Sequence, residues 1–301
     1  MTFRLSNPYA GCGTTRGTWV RGNLHGHSSE HSGCSSVPLN DGIERYRAAH
    51  AGFMAVTDHD HVTDLSAARA RYPAMVFLEG FEHSSAENVL FIGERVPPLH
   101  RLSMAKALAA ADGLLTVVCH PRPRPRNDYW TVEKILALSP RPTGIEVYNG
   151  HYIGHYIGTR AYLNRKNPLY TDTWDGVLSR GARMWGYAND DFHDPPDFGR
   201  AWNMAWVDTP TPSAVLAALA AGRCYGTTGL LLESIAVEGR RVVVRLAGDA
   251  EGRFVGPRGR VLARSSGREF TWRHDGGAYV RFEARGDAGM LWLQPLYGAS
   301  A

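Results

Sequence analysis

Lysine is nearly missing. Lys106, Lys134 and Lys166 are the only three in 301 residues, so arginine supplies almost all of the 33 basic side chains. Against 29 Asp and Glu the formal net charge is +4, and no basic run stands out. A small, dispersed excess of this kind does not fit a nucleic-acid-binding surface. Long hydrophobic runs are missing too. No stretch of about 18 apolar residues occurs, which argues against a membrane-spanning helix. The segment from Met1 to Pro8 lacks the apolar core of a secretory signal. Cysteine is scarce: Cys12, Cys34, Cys119 and Cys224 lie far apart and form no CxxC pair. That spacing argues against a structural zinc knuckle or a disulfide framework, and fits a reduced, cytoplasmic protein with free thiols.

What remains is ordinary in bulk. Hydrophobic residues make up 44% and charged residues 21%, as in soluble globular proteins, and the length suits one large domain or two ordinary ones. From Trp19 to Asp208 short apolar runs end abruptly in polar residues. They are Trp19–Leu24, Phe53–Thr57, Met75–Leu78, Val89–Ile92, Leu114–Cys119, Gly144–Tyr148, Met184–Ala188 and Met204–Val207. Helical stretches over 41–51, 103–111, 131–138 and 213–221 lie between several of them. This alternation predicts parallel strands with crossover helices, and roughly seven or eight units over about 200 residues suit a (β/α) barrel. From Glu233 onward glycines punctuate period-2 alternation, as in Ile235–Leu246 and Tyr279–Glu283. That pattern predicts a small antiparallel β module, so the chain divides into a barrel over 1–230 and a module over 231–301.

Thirteen histidines are the unusual count, and their placement is informative. In a barrel of this kind catalytic groups gather at the C-terminal ends of the strands. The residues after five predicted strands are His25-Gly-His27, Asp58-His59, Glu82-His83, His120 and Asp190-Asp191-Phe-His193. A His-x-His pair on extended chain points both imidazoles to one side, because side chains alternate with period 2. Imidazole and carboxylate ligands suit Zn, Mn or Fe in an open catalytic site rather than a closed structural one. Several ions close together need a bridging carboxylate, for which Glu82 is placed. Such sites generate hydroxide near neutral pH and clamp a phosphoryl or carbonyl oxygen.

The series Asn23-Leu-His-Gly-His27-Ser, Val56-Thr-Asp-His59-Asp, Gly80-Phe-Glu82, Cys119-His-Pro121 and Asp190-Asp-Phe-His193 resembles the motifs of the PHP (polymerase and histidinol phosphatase) family. It is similar in particular to the stand-alone PHP metallohydrolases, which include phosphoesterases and a carbamate-hydrolysing group similar to carbaryl hydrolase. Gly144–Asn149, Gly222–Gly229 and Trp292–Pro295 extend the likeness over most of the chain. The resemblance implies a distorted (β/α)7 barrel with two or three divalent ions, commonly Mn, Zn or Fe. Carried over by position, His25, His27, Glu82 and Asp191 would hold the first ion, and Glu82 with His120 the second. His59 and His193 would hold the third, helped by a residue in the loop after His27. Asp58 would orient a ligand histidine or act as an outer carboxylate.

Two positions depart from the family pattern. Ser32 stands where the family has an aspartate ligand, so Glu30 or, preferably, His31 is expected to substitute. Asn88 stands where the family often has a histidine, so Asn88 or His83 is expected to complete the second position. Among substrate-facing groups, Arg122 and Arg124 are read as an anion clamp. Asn149, His151, His155 and Arg200 are further mouth residues. Metal-bound hydroxide would attack phosphorus or carbonyl, with Asp191, His193 and Arg122 serving catalysis and His193 or a loop histidine protonating the leaving group. The resulting expectation is a phosphoesterase acting on a small anionic molecule, with no nucleic-acid or membrane partner. Carbamate or ester hydrolysis is the alternative within this class, and a non-catalytic metal-binding or regulatory module is the alternative outside it.

Overall fold

The apolar runs become strands of one large mixed sheet. The computed structural model of the chain describes residues 4–13, 16–122, 129–151 and 167–299. Sixteen strands are found among them: β1 (Arg4–Ser6), β2 (Thr18–Asn23), β3 (Phe53–Val56), β4 (Val76–His83), β5 (Val89–Gly93), β6 (Leu115–Val118), β7 (Gly144–Asn149), β8 (Trp185–Asn189), β9 (Trp202–Val207), β10 (Cys224–Thr227), β11 (Leu232–Glu238), β12 (Arg241–Gly256), β13 (Arg260–Arg273), β14 (Tyr279–Gly286), β15 (Gly289–Leu293) and β16 (Leu296–Ala299). The helices are few and short: α1 (Leu39–Ala48), α2 (Ser66–Arg71), α3 (Met104–Ala109), α4 (Val132–Ala137), α5 (Thr171–Ser179) and α6 (Pro212–Ala220). None is long and apolar enough to cross a membrane.

The sheet runs β1-β16-β14-β15-β10-β9-β2-β3-β4-β5-β6-β7-β8, with β11, β12 and β13 branching from β14. Strands β2, β3 and β4 are parallel neighbours, and so are β6, β7 and β8. All residues of β3 to β7 are buried, which explains why β3, β5 and β6 read as largely apolar runs, while β4 and β7 also bury Glu79, Glu82, His83 and Glu146. The uniform parallel order expected from the alternation does not hold. Strand β5 is antiparallel to both β4 and β6, and β9 is antiparallel to β2 and β10. Residues 84–88 between β4 and β5 are too few for a crossover, so the chain turns back as a hairpin. Helices α2 and α5 were not expected from the sequence pattern.

Strand β8 is the last in the order, and side chains rather than a backbone ladder satisfy its outer edge. Asn203 of β9 accepts from Ala188 N–H (3.0 Å) and donates to its carbonyl (2.9 Å). Gln294 repeats the arrangement on Gly186, accepting at 2.7 Å and donating at 2.8 Å. Both amides act as backbone mimics that satisfy buried polar groups. Gly186 must be a glycine here, because a Cβ would lie 2.7 Å from the Trp174 ring. The C-terminal strands join the same sheet: β15 pairs with β10, and β16 pairs with β1 at the other end of the chain.

Candidate metal centre

Strands β2, β3, β4, β6, β7 and β8 point the same way, so the residues that follow them share one mouth. Isolated bridges Gly26–Phe192 and His59–Glu82 extend the pairing past the strand ends and hold the chain in register there. Asp191 and His120 have positive φ, 51° and 30°, which L side chains rarely adopt. Such strain persists only where surrounding contacts fix it. For His120 the fixing contact is its N–H donating to Glu146 Oε2 at 2.7 Å.

Glu82 is the centre of the cluster. Its Oε2 lies 3.3 Å from His25 Nε2, 3.4 Å from His27 Nε2 and 3.1 Å from His59 Nδ1. Its Oε1 lies 3.2 Å from His120 Nε2. Asp191 Oδ1 lies 3.1 Å from His25 Nε2, 3.2 Å from His27 Nε2 and 3.3 Å from His193 Nδ1. All these side chains are buried except His59, which is 32% exposed. Among the described residues, His25, His27 and Asp191 form one metal-grade group and His27, His59 and His193 another, with ligand atoms within 4.8 Å of one another. His25, Glu82 and Cys119 form a third, and His151, His193 and Asp197 a fourth.

The donor chemistry fits divalent ions. His25 Nδ1 is 2.8 Å from Glu146 Oε1, so the fitting tautomer donates there and leaves Nε2 as a ligand atom. That Nε2 is buried and makes no hydrogen bond, although it sits between two carboxylates. Burial pushes Glu82 up, yet His25, His120 and His59 outweigh it and hold the carboxyl well below its usual range. Asp191 is lowered in the same way, chiefly by His25 and His193. Burial lowers His193, but Asp191 overrides it and raises the ring to about 11. Burial and the neighbouring His193 carry His27 down to about 3. In metal-stripped protein, protons on His25 and His193 therefore balance the two carboxylates.

Several expected residues join this cluster, and others do not. Asn88 donates to Glu82 Oε1 (2.8 Å) and accepts from Tyr129 (2.7 Å), so it orients the central carboxylate. Asn149 donates to Asp191 Oδ2 (3.1 Å) and to Glu146. His151 pairs with Asp197 (3.0 Å), and its ring stands 4.2 Å from that of His193. Asp58 touches no ligand histidine side chain. Its oxygens accept from Ser28, Ser32 and Thr63, so it shapes the loop that carries His27. His31 is exposed and stacks on His61 at 3.9 Å, away from the cluster. A loop that turns Ser32 inward must turn its neighbour outward. Glu30 accepts from Leu39 N–H at the start of α1. His83 Nε2 lies 2.8 Å from the Leu102 carbonyl oxygen, which turns it off the centre. Arg122 donates to the Asn167 and Leu169 carbonyls and pairs with Asp172. Arg200 donates to the Pro196 carbonyl. Neither guanidinium is directed at the cluster. Arg124 and His155 lie outside the described residues.

No family model matches the chain, and no curated protein does either. Solved structures do. The crystal structure of a two-domain protein containing a predicted PHP-like metal-dependent phosphoesterase from Bacteroides vulgatus is similar over 94% of this chain and 96% of that one. The identity is 18% and the TM-score 0.52. The two chains share a fold. An amidohydrolase from Chromobacterium violaceum, with bound sulfate and no metal, aligns over 58% of this chain and 88% of that one, at 16% identity and a TM-score of 0.38.

Three residues at the centre were not singled out as site residues from the sequence. Glu146 is fully buried and contacts His25, His120 N–H, Asn149 and Asn189. Its signal was there, since a carboxylate amid Gly144-Ile-x-Val-Tyr148 must have buried partners. Asp197 is fully buried and accepts from His151 Nδ1 and from the N–H groups of His193 and Asp194. Cys34, read as an unremarkable free thiol, is exposed and lies in the electrostatic reach of His193 and His59. Burial raises that thiol, but the two histidines outweigh it and bring it to about 6.

Proposed function

We propose that the protein is a metal-dependent hydrolase that cleaves a small phosphorylated molecule. Two or three divalent ions (Mn, Zn or Fe) would be held by His25, His27, His59, Glu82, His120, Asp191 and His193. The observation that carries this reading is Glu82, one buried carboxylate within 3.1–3.4 Å of four imidazoles. The ion-pair partners of Glu82 and Asp191 among the described residues are all histidines. Without a lysine or arginine to neutralise them, two buried carboxylates amid imidazoles suit cations.

Bound divalent ions would acidify a water and polarise the scissile group. The chain's own residues do the rest. Glu146 fixes His25 through Nδ1 and His120 through its N–H. Asn149 and Asn88 hold the two carboxylates in orientation. Asp197 accepts from His151 Nδ1 and fixes that ring beside His193, and we assign His151 as the general acid.

A second reading, ester or carbamate hydrolysis, is favoured by one observation. Arg122 is tied to loop carbonyls and Asp172, so it does not form the anion clamp that a phosphate would use. The two readings separate on turnover of p-nitrophenyl phosphate against an aryl ester and an aryl carbamate with added Mn. The phosphoesterase reading predicts the phosphate as the better substrate. Turnover of the carbamate but not the phosphate would refute it.

A further inference from the structure

We infer that Tyr129 is a positioning residue of the centre, closing a ring of four side chains that aims Glu82 and His120 at the second ion. This rests on the metal centre proposed above. Tyr129 Oη donates to Asn88 Oδ1 (2.7 Å), and Asn88 Nδ2 donates to Glu82 Oε1 (2.8 Å). The same Glu82 oxygen lies 3.2 Å from His120 Nε2, and His120 Nδ1 returns to Tyr129 Oη at 3.2 Å. Tyr129 is 3% exposed, and its ring stacks on that of His120 with centroids 5.6 Å apart.

The chemistry of the donors fixes each direction around the ring. A carboxylate only accepts, so Asn88 turns its nitrogen to Glu82 and its oxygen to Tyr129. An amide oxygen also only accepts, so the single hydroxyl proton of Tyr129 goes to Asn88. Toward His120 the phenol oxygen is then an acceptor, and Nδ1 carries the proton between them. The same oxygen accepts from Asn88 N–H (3.1 Å). His120 Nε2 is left with a lone pair facing a carboxylate oxygen, the arrangement of two ligands that share a cation.

Asn88 is a link in this ring and not a ligand, because both its amide atoms are committed to other side chains. Its backbone is held as well, since its carbonyl accepts from Cys119 N–H (3.1 Å) and Trp130 Nε1 (3.3 Å). His83 is turned to the Leu102 carbonyl. Of the ligands expected at the second position, Glu82 and His120 remain. An ion with two such ligands depends more than its neighbours on how those two are aimed.

The test adds zinc to the metal-stripped full chain. Affinity is read by chelator competition with elemental analysis, and the imidazoles by nitrogen-15 NMR. Zinc-loaded wild type should show a His120 Nδ1–H resonance protected from solvent exchange, recognised by its absence in His120→Asn. Tyr129→Phe keeps the stacked ring and removes only the hydroxyl. It should lose that protection and bind the weakest zinc about 10- to 100-fold less tightly, with the tighter equivalents unchanged. Asn88→Leu cuts the ring on the Glu82 side, and should weaken the same zinc while the Nδ1–H stays protected. Wild-type affinity at every step in Tyr129→Phe overturns the assignment. So does an equal loss at all steps, which would mark a merely structural tyrosine. Nδ1 without a proton in zinc-loaded wild type overturns it whether or not the variants fold, and leaves the metal centre standing. A folded wild type that binds no zinc overturns both.

Discussion

Glu146 shows how much of the centre depends on a residue that never touches its open side. It fixes one imidazole through Nδ1 and the strained backbone of another through N–H, and it receives two asparagine amides. Partners of this kind typically carry a 10- to 100-fold effect, so Glu146→Gln should lower metal affinity or turnover by roughly that factor. A metal titration against a competing chelator reads the loss directly, and unchanged affinity and turnover would contradict it. Protonation gives a second residue-scale prediction. His193 rises to about 11 from 6.5, and His25 is also raised. Ions must displace those protons, so loading near pH 7 should release protons, and affinity should climb with pH. Because the folded value of His193 exceeds the unfolded one, its contribution to the stability of stripped protein is full below about 6.5. It is lost as pH rises through about 11. Melting of stripped protein from pH 7 to 10 should show this fall, and His193→Asn should flatten it. The sequence made the clustered residues legible because they follow apolar runs, as His25, His27, His120 and Asp191 do. It did not make the loop after His27 legible, since Asp58 and its hydroxyl partners turn Ser32 inward.

At the scale of elements, the edge of β8 is the most exacting feature. Gly186 gives both backbone groups to Gln294 from a segment 108 residues away. Replacing that amide with an apolar side chain would strand a buried donor and acceptor, at a cost on the order of 3 kcal/mol. Gln294→Leu should therefore unfold at clearly lower urea than wild type, and an equal midpoint would show that β8 needs no such cap. Apolar runs marked the strands from β2 to β9 within a residue or two, except that β4 continues through Glu79–His83 beyond the expected end at Leu78. Their directions were less legible. The turn-back over 84–88 decides the orientation of β5, and nothing in Val89–Gly93 itself records it. Helix α5 was missed because its buried face includes Thr173 and Asp175, the latter facing Arg281 rather than solvent.

At the scale of the whole molecule, the C-terminal strands are bound to the rest by more than sheet continuity. Arg281, 2% exposed, pairs with Asp175 of α5 (2.6 Å) and with Glu283. Tyr279 donates to the same Asp175 at 3.1 Å. Burying charge is tolerated only when it is paired, so Arg281→Ala should cost about 3–5 kcal/mol, read by urea unfolding. A loss below about 1 kcal/mol would mean the network is screened by water. At the N-terminal side, Tyr9 donates to the Cys224 carbonyl (2.9 Å) and accepts from Gln294 N–H (2.6 Å). The C-terminal strands are thus tied to the rest of the chain at β10, α5 and the first strand.

The central claim is that this cluster binds divalent ions and uses them for hydrolysis. Titrating metal-stripped protein with manganese, while following p-nitrophenyl phosphate, an aryl ester and an aryl carbamate, tests it most directly. The account predicts no turnover of any substrate at the start, then recovery on one of them that saturates at about two or three equivalents per chain. Turnover in the stripped protein, or a folded chain that binds less than about one equivalent and stays inactive on all three substrates, would contradict it.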